Sequence, residues 1–191
     1  MKCGKPIKDE EQEYCYDCRR HAYAYDQGRS LWRHVPPVTQ AIYQFKFHNR
    51  RYYAEIFAEE MARRYELWIR NRKIEEILPV PLHASKRRSR GYNQAELLAD
   101  CLGKKLEISV NKRAVFRIRN TRPQRLLDGG ERIQNLQGAF GVSKSWKAVG
   151  SVLLIDDIYT TGSTIHRISR LLKKAGAQKV YFLTISIGQG L

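Results

Sequence analysis

Long apolar runs are missing from this sequence. No segment approaches the ~18 consecutive apolar residues that span a bilayer, so no transmembrane helix is expected. The opening Met1-Lys2-Cys3-Gly4-Lys5 has no apolar stretch of the kind a secretory signal carries. The expected location is therefore cytoplasmic, with peripheral attachment at the inner face of the membrane left open. The G-x-x-x-x-G-K-[ST] phosphate loop is absent, which disfavours a nucleoside triphosphatase. There is no internal repeat and no low-complexity segment. Acids are scarce: 19 Asp and Glu stand against 35 Lys and Arg, for a net charge of +16.

What remains suits one α/β domain with a small appendage, since 191 residues at 42% hydrophobic content can bury an ordinary core. The positive charge is uneven. Residues 1–30 are neutral, with six basic and six acidic residues, whereas residues 31–149 hold 24 basic and 11 acidic ones. Ile77 to Ala95 and Ile108 to Leu127 contain no acid. The second of these stretches carries Lys112, Arg113, Arg117, Arg119, Arg122 and Arg125. Such a balance fits a polyanionic partner, whether nucleic acid, phosphorylated substrate or acidic lipid; a solvated basic surface is the competing account.

Three of the four cysteines crowd near the start, Cys3 ahead of the C-x-x-C formed by Cys15 and Cys18. Without a secretory signal this spacing favours metal over disulfide. Zinc takes four ligands, and His21, three residues after Cys18, is a candidate for the fourth. Cys101, in an apolar helical pattern, is expected in the core. Residues 1–30 have too little apolar material to fold alone without a metal or a neighbour, and residues 31–191 make up the main domain.

Within that domain a short helix is expected at Ala41–Phe45, ending around His48-Asn49. A longer one follows, with Tyr53, Ile56, Phe57, Met61, Tyr65 and Trp68 on one face. Ile77–Leu82 reads as a buried strand ending in a proline turn, Asn93–Lys104 as a helix and Val115–Ile118 as a strand. Residues 119–138 are polar and read as a mobile loop with a short helix. Ser151–Ile155 is a continuous apolar run, the mark of a strand covered on both faces. A helix through Ile165, Ile168, Leu171, Leu172 and Ala175, stopped by Gly176, and a strand at Val180–Ile187 complete a β-loop-α-β unit, hence a parallel sheet.

The junction of that unit carries the chemistry. In an open α/β sheet, ligands sit beyond the carboxyl ends of the strands. Asp156 and Asp157 fall there, and Thr160, Thr161, Gly162, Ser163 and Thr164 lead into the helix. Backbone N–H groups, hydroxyls and the positive end of the helix suit a phosphate. Two carboxylates would repel that phosphate but suit ribose hydroxyls and a hydrated Mg²⁺. Phosphate at one end and a diol at the other describe a 5-phosphoribosyl group.

Val152 to Thr164 resembles the 5-phosphoribosyl-1-pyrophosphate (PRPP) signature of type I phosphoribosyltransferases: four apolar residues, two aspartates, then Thr-Thr-Gly-Ser-Thr. The resemblance implies a Rossmann-like parallel sheet flanked by helices. It also implies that Asp156 and Asp157 bind the ribose hydroxyls and reach Mg²⁺ through water, and that Thr160 to Thr164 hold the 5′-phosphate. Family members displace pyrophosphate at ribose C1. Lys86, Arg87, Arg88 and Arg90 are candidate contacts for pyrophosphate or DNA, as are Arg122 and Arg125, and the section from Arg119 to Arg132 is a candidate lid.

Further motifs are similar to those of the competence protein ComF family: Pro79-Val80-Pro81-Leu82-His83, Arg88 to Ala95, Leu97-Leu98-Ala99, Thr121-Arg122-Pro123-Gln124, Arg132-Ile133-Gln134-Asn135 and Gly138-Ala139-Phe140. Lys46-Phe47-His48-Asn49-Arg50 resembles that family's lysine-centred motif. The resemblance implies an N-terminal zinc ribbon, with Cys3, Cys15 and Cys18 as zinc ligands; the companion of Cys3 would fall one residue before Met1. It also implies a role in natural transformation, the import of single-stranded DNA, beside a helicase-like partner. Arginines interleaved with Tyr92, Phe116 and Phe140 are candidates to grip such a strand. Three readings stay open: a PRPP- and DNA-binding uptake component, an active Mg²⁺-dependent phosphoribosyltransferase in salvage or nucleotide modification, and a PRPP-sensing regulator or scaffold for a helicase partner.

Overall fold

Val152, Leu153, Leu154 and Ile155 are all fully buried, which a strand achieves only when both its faces are covered. In the computed structural model, which describes residues 2–7, 11–118 and 138–188, this run lies at the centre of a sheet. The strands in chain order are β1 (Gln27–Arg33), β2 (Glu76–Pro79), β3 (Ser109–Val110), β4 (Val115–Arg117), β5 (Phe140–Val142), β6 (Ser151–Tyr159) and β7 (Lys179–Ile187). The helices are α1 (Tyr16–Arg20), α2 (Val38–Phe47), α3 (Tyr53–Asn71), α4 (Ala84–Arg90), α5 (Gln94–Leu106) and α6 (Ser163–Lys174).

Five strands form one sheet in the order β1-β7-β6-β2-β3, every neighbouring pair parallel, while β4 and β5 form a separate antiparallel pair. Side chains of β6 alternate between two cores. Val152 and Leu154 join Phe182, Ile165, Ile168 and Leu172 on the side of α6. Leu153 and Ile155 join Phe57, Met61, Leu98 and Leu102 on the side of α3 and α5. The α/β class with helices on both faces of a parallel sheet is thus as the apolar runs and the resemblance imply. Among the described residues no helix is long and apolar enough to cross a membrane.

Chain order in the sheet reverses between β2 and β6. The chain moves from β2 outward to β3 by way of α5, and from β6 outward to β7 by way of α6, the other way. The gap between the carboxyl ends of β2 and β6 is therefore a topological switch point, where α/β sheets place their ligands.

Four expectations need correction. β6 does not stop at Ile155 but pairs with β7 through Tyr159, so Asp156 and Asp157 are strand residues. β1 was not foreseen, because Gln27-Gly28-Arg29-Ser30 lacks an apolar pattern; it crosses the boundary drawn between residues 30 and 31 and pairs with β7 along its length. Gly28 is needed there, since a Cβ would lie 2.0 Å from the Phe182 ring. Ile56 lies off the buried face of α3, and Ala54, Ala58 and Ile69 fill that face instead. Cys101 is only half-buried, its thiol 3.7 Å from the Glu55 carboxylate.

Candidate phosphoribosyl site and cysteine cluster

At the switch point lies a cleft of about 150 Å³. Its floor is the chain leaving β2, Val80-Pro81-Leu82, and its walls bring together Lys46, Lys86, Arg90, Asn93, Gln94, Arg117, Asp156, Asp157 and Thr164. Most come from element ends, while Asp156 and Asp157 lie within β6 and Lys86 within α4. α4 begins at His83, whose Nδ1 accepts from the Ser85 N–H at 3.2 Å, and its last turn presents Arg90. α5 is capped by Asn93, whose Oδ1 accepts from the Ala95 N–H at 3.1 Å while its Nδ2 donates to the Val80 carbonyl at 3.0 Å. That pair of bonds fixes the start of α5 to the floor of the cleft.

The cleft holds four cationic side chains, Lys46, Lys86, Arg90 and Arg117, and two carboxylates, Asp156 and Asp157. Lys46 Nζ lies 2.8 Å from Asp157 Oδ2. The Asp157 N–H donates to Asp156 Oδ1 at 2.9 Å. Burial, and then the adjacent Asp157, push the Asp156 carboxyl up to about 7 against the pull of that hydrogen bond, Lys46 and Arg117. The cations are displaced the other way. Burial, then Arg117, Arg90 and Lys46, hold Lys86 below its ordinary value, and burial lowers Arg90 and Arg117 as well. Positive charge crowded under partial desolvation with too few acids is relieved by an anion.

The loop after β6 adjoins this cleft. Gly162 has φ +75°, and a Cβ there would meet the Tyr159 hydroxyl at 2.3 Å, so only glycine fits. Thr161 Oγ1 and Ser163 Oγ are hydrogen-bonded at 2.8 Å. α6 starts at Ser163 with no acid in its first turn, which leaves its positive end unopposed. Of the loop residues singled out from the sequence, Thr164 lines the cleft; Thr160, Thr161, Gly162 and Ser163 form the turn leading to it.

The basic candidates separate. Lys86 and Arg90 face the cleft. Arg87 pairs with Glu96 at 3.0 Å, and Arg88 is exposed and is not among the cleft residues. Arg122 and Arg125, like the whole candidate lid through Arg132, lie outside the described residues. Tyr92 and Phe140 are core residues at 6% and 4% exposure, so neither offers a face to a base; of the three proposed aromatics only Phe116 is exposed. Sequence reading missed Lys46, Asn93, Gln94 and Arg117 as cleft residues. Lys46 carries a signal, being the lysine of a motif, but nothing short of the β2–β6 geometry brings it to Asp157.

Behind the loop sit the cysteines. The thiols of Cys3, Cys15 and Cys18 lie within 4.8 Å of one another, the one such cluster of metal-ligating groups among the described residues. Cys3 and Cys15 sulfurs are 3.4 Å apart. Tetrahedral Zn–S bonds of about 2.3 Å put sulfurs about 3.8 Å apart, so the three thiols fit three corners of a zinc site. Hydrogen bonding from Cys3, and further from Cys15 and Tyr25, pulls Cys18 down to about 6 against its burial; a thiolate at this position is what a metal needs. His21 is exposed and stands outside the cluster, its ring edge-on to Tyr23. The cluster is wired to the loop between β6 and α6. Tyr23 donates its hydroxyl to the Thr161 carbonyl at 2.7 Å, Tyr25 and Tyr159 hydroxyls meet at 2.6 Å, and the Ala24 N–H donates to His166 Nδ1 at 2.9 Å.

A parallel sheet with an acidic pair at the end of its central strand, a glycine turn into a helix and a cationic cleft at the switch point defines the phosphoribosyltransferase class of α/β domain. Residues 88–186 match the phosphoribosyl transferase domain family. Three curated relatives extend the likeness over most of the chain. Competence protein F of Haemophilus influenzae is 34% identical over 187 residues, covering 93% of this chain and 80% of its own. The DNA utilization protein YhgH of Salmonella typhimurium is 28% identical, covering 93% and 79%. Competence protein ComFC of Bacillus subtilis is 28% identical, covering 96% and 75%. The chain belongs to the ComF family of competence proteins, with a phosphoribosyltransferase-type domain.

Proposed function

We propose that the cleft binds PRPP or ribose 5-phosphate, and that the protein serves DNA uptake by handling single-stranded DNA beside a helicase-like partner in the cytoplasm. The observation that carries the first part is the pairing of Asp156 and Asp157 with four cations and the start of α6 in one cleft. Ionised Asp156 and Asp157 accept hydrogen bonds from the ribose hydroxyls. Thr160 to Thr164 and the first N–H groups of α6 receive the 5′-phosphate. Lys86, Arg90 and Arg117 neutralise a pyrophosphate on the other side of the ring. Asp156 and Asp157 would be the residues to hold a Mg²⁺, which would add neutralising charge for the pyrophosphate.

The second part rests on the charge surplus and on what the relatives are named for. The segment 1–30 acts as a partial zinc-ribbon-like brace for the loop. A titration of ribose 5-phosphate and of PRPP with Mg²⁺, followed by calorimetry and by a pyrophosphate assay, tests the reading. Saturable binding of both ligands is expected, and no binding of either would refute it. Pyrophosphate release with an acceptor base would make the protein an enzyme as well as a binder.

A further inference from the structure

A group of exposed rings lies outside the cleft but joins its rim. α2 turns Ile42 and Phe45 inward and leaves Tyr43 and Phe47, four residues apart on one face, 55% and 53% exposed. Around the turn into α3, Tyr52 is 55% exposed. Gathered apolar surface of this kind marks a binding face more often than a solvated one. Tyr43 contacts both Phe47 and His48, with centroids 5.1 and 5.3 Å apart, and Tyr52 stacks on Tyr53 at 4.6 Å.

The charge along the chain that carries these rings is positive up to Glu55 in the first turn of α3. Leu31 to Ala54 contains no Asp or Glu, and Arg50 and Arg51 are exposed between the two ring groups. Two contacts join this face to the phosphate cleft. The Arg90 guanidinium, a cleft wall, lies 4.8 Å from the centre of the Phe47 ring. Lys46, the residue before Phe47, reaches Asp157 inside the cleft. Half-exposed rings, one of them capped by a guanidinium, beside exposed arginines match a polymer that alternates flat π-faces with anions. Unpaired nucleic acid has that chemistry; a duplex hides its base faces.

We propose that the α2–α3 corner, centred on Tyr43, Phe47 and Tyr52, stacks the bases of a single strand whose backbone passes Arg50 and Arg51 toward Arg90. This rests on the DNA-handling reading above.

The test measures anisotropy of a labelled oligothymidylate with the full chain at low salt. The Tyr43→Ala/Phe47→Ala variant should bind about 5- to 100-fold more weakly. A baseless strand of the same length should bind the unaltered protein about as weakly as the variant binds oligothymidylate. Tyr43→Phe/Phe47→Tyr, which keeps both π-faces, should bind like the unaltered protein. Both altered rings are exposed, so melting should move by no more than about 2 °C, and that measurement guards against misfolding. A folded alanine variant that binds as tightly as the unaltered protein overturns the corner and leaves DNA binding standing. An equal loss for base-containing and baseless strands also overturns it, as does a change of self-association with DNA affinity unmoved. Absence of any binding by the unaltered protein would remove the DNA-handling reading itself.

Discussion

Asp156 carries the least favourable electrostatics in the cleft, and its cost has a sign that can be measured. Its folded value, raised to about 7, lies above the ordinary carboxylate value of 3.8. The folded state therefore holds the proton more tightly, and stability is lost as pH rises from the ordinary value through the raised one. Asp156→Asn should melt higher than the unaltered protein at pH 8, with the gap closing below about pH 4, because both side chains are then neutral; thermal melts across that range check it. Lys46 acts oppositely. It is the close partner of Asp157, with both side chains mostly buried. Lys46→Ala leaves that carboxylate without its counter-ion and should cost up to about 3 kcal/mol in denaturant unfolding at neutral pH. A strained acid kept at a cleft for its ligand is the expected trade between stability and function.

At the level of elements, the β6–α6 turn is held from both sides. Gly162 meets the steric limit set by Tyr159, Tyr159 meets Tyr25, and Tyr23 holds Thr161. Gly162→Ala places a Cβ at φ +75° against the Tyr159 hydroxyl. It should lower stability by about 1–2 kcal/mol from the backbone alone, and weaken ribose 5-phosphate binding as well. Cys15→Ser should lower zinc content, read by elemental analysis, and loosen the same turn, read as faster amide exchange at Thr161 and Gly162. The apolar runs made β6, α6 and β7 legible, since period and length are local properties. The helix of α5 was legible for the same reason, but the capping role of Asn93 was not. β1 was not, because an edge strand bound by Gly28 against Phe182 has no apolar alternation to read. The aspartates and glycine turn were visible as a string, while Lys46 and Arg117 reach them only through contacts between elements far apart in the chain.

For the whole molecule, the surplus of basic residues sets how affinity for a polyanion responds to salt. If Arg50, Arg51 and Arg90 each neutralise one phosphate of a single strand, log K should fall against log salt with a slope of about −2. A shallower slope assigns the charge to solubility. The sheet order explains why charge and rings converge. Reversal between β2 and β6 opens the cleft, and α2 brings Lys46 into it and Phe47 to its rim. The central claim is that this cleft receives a 5-phosphoribosyl group, and calorimetric titration of ribose 5-phosphate without Mg²⁺ tests it most directly. The unaltered protein should bind ribose 5-phosphate more tightly than inorganic phosphate, and Asp156→Asn/Asp157→Asn should lose that preference while remaining folded. Equal affinity for the two ligands, or a preference that survives the double substitution, would contradict it.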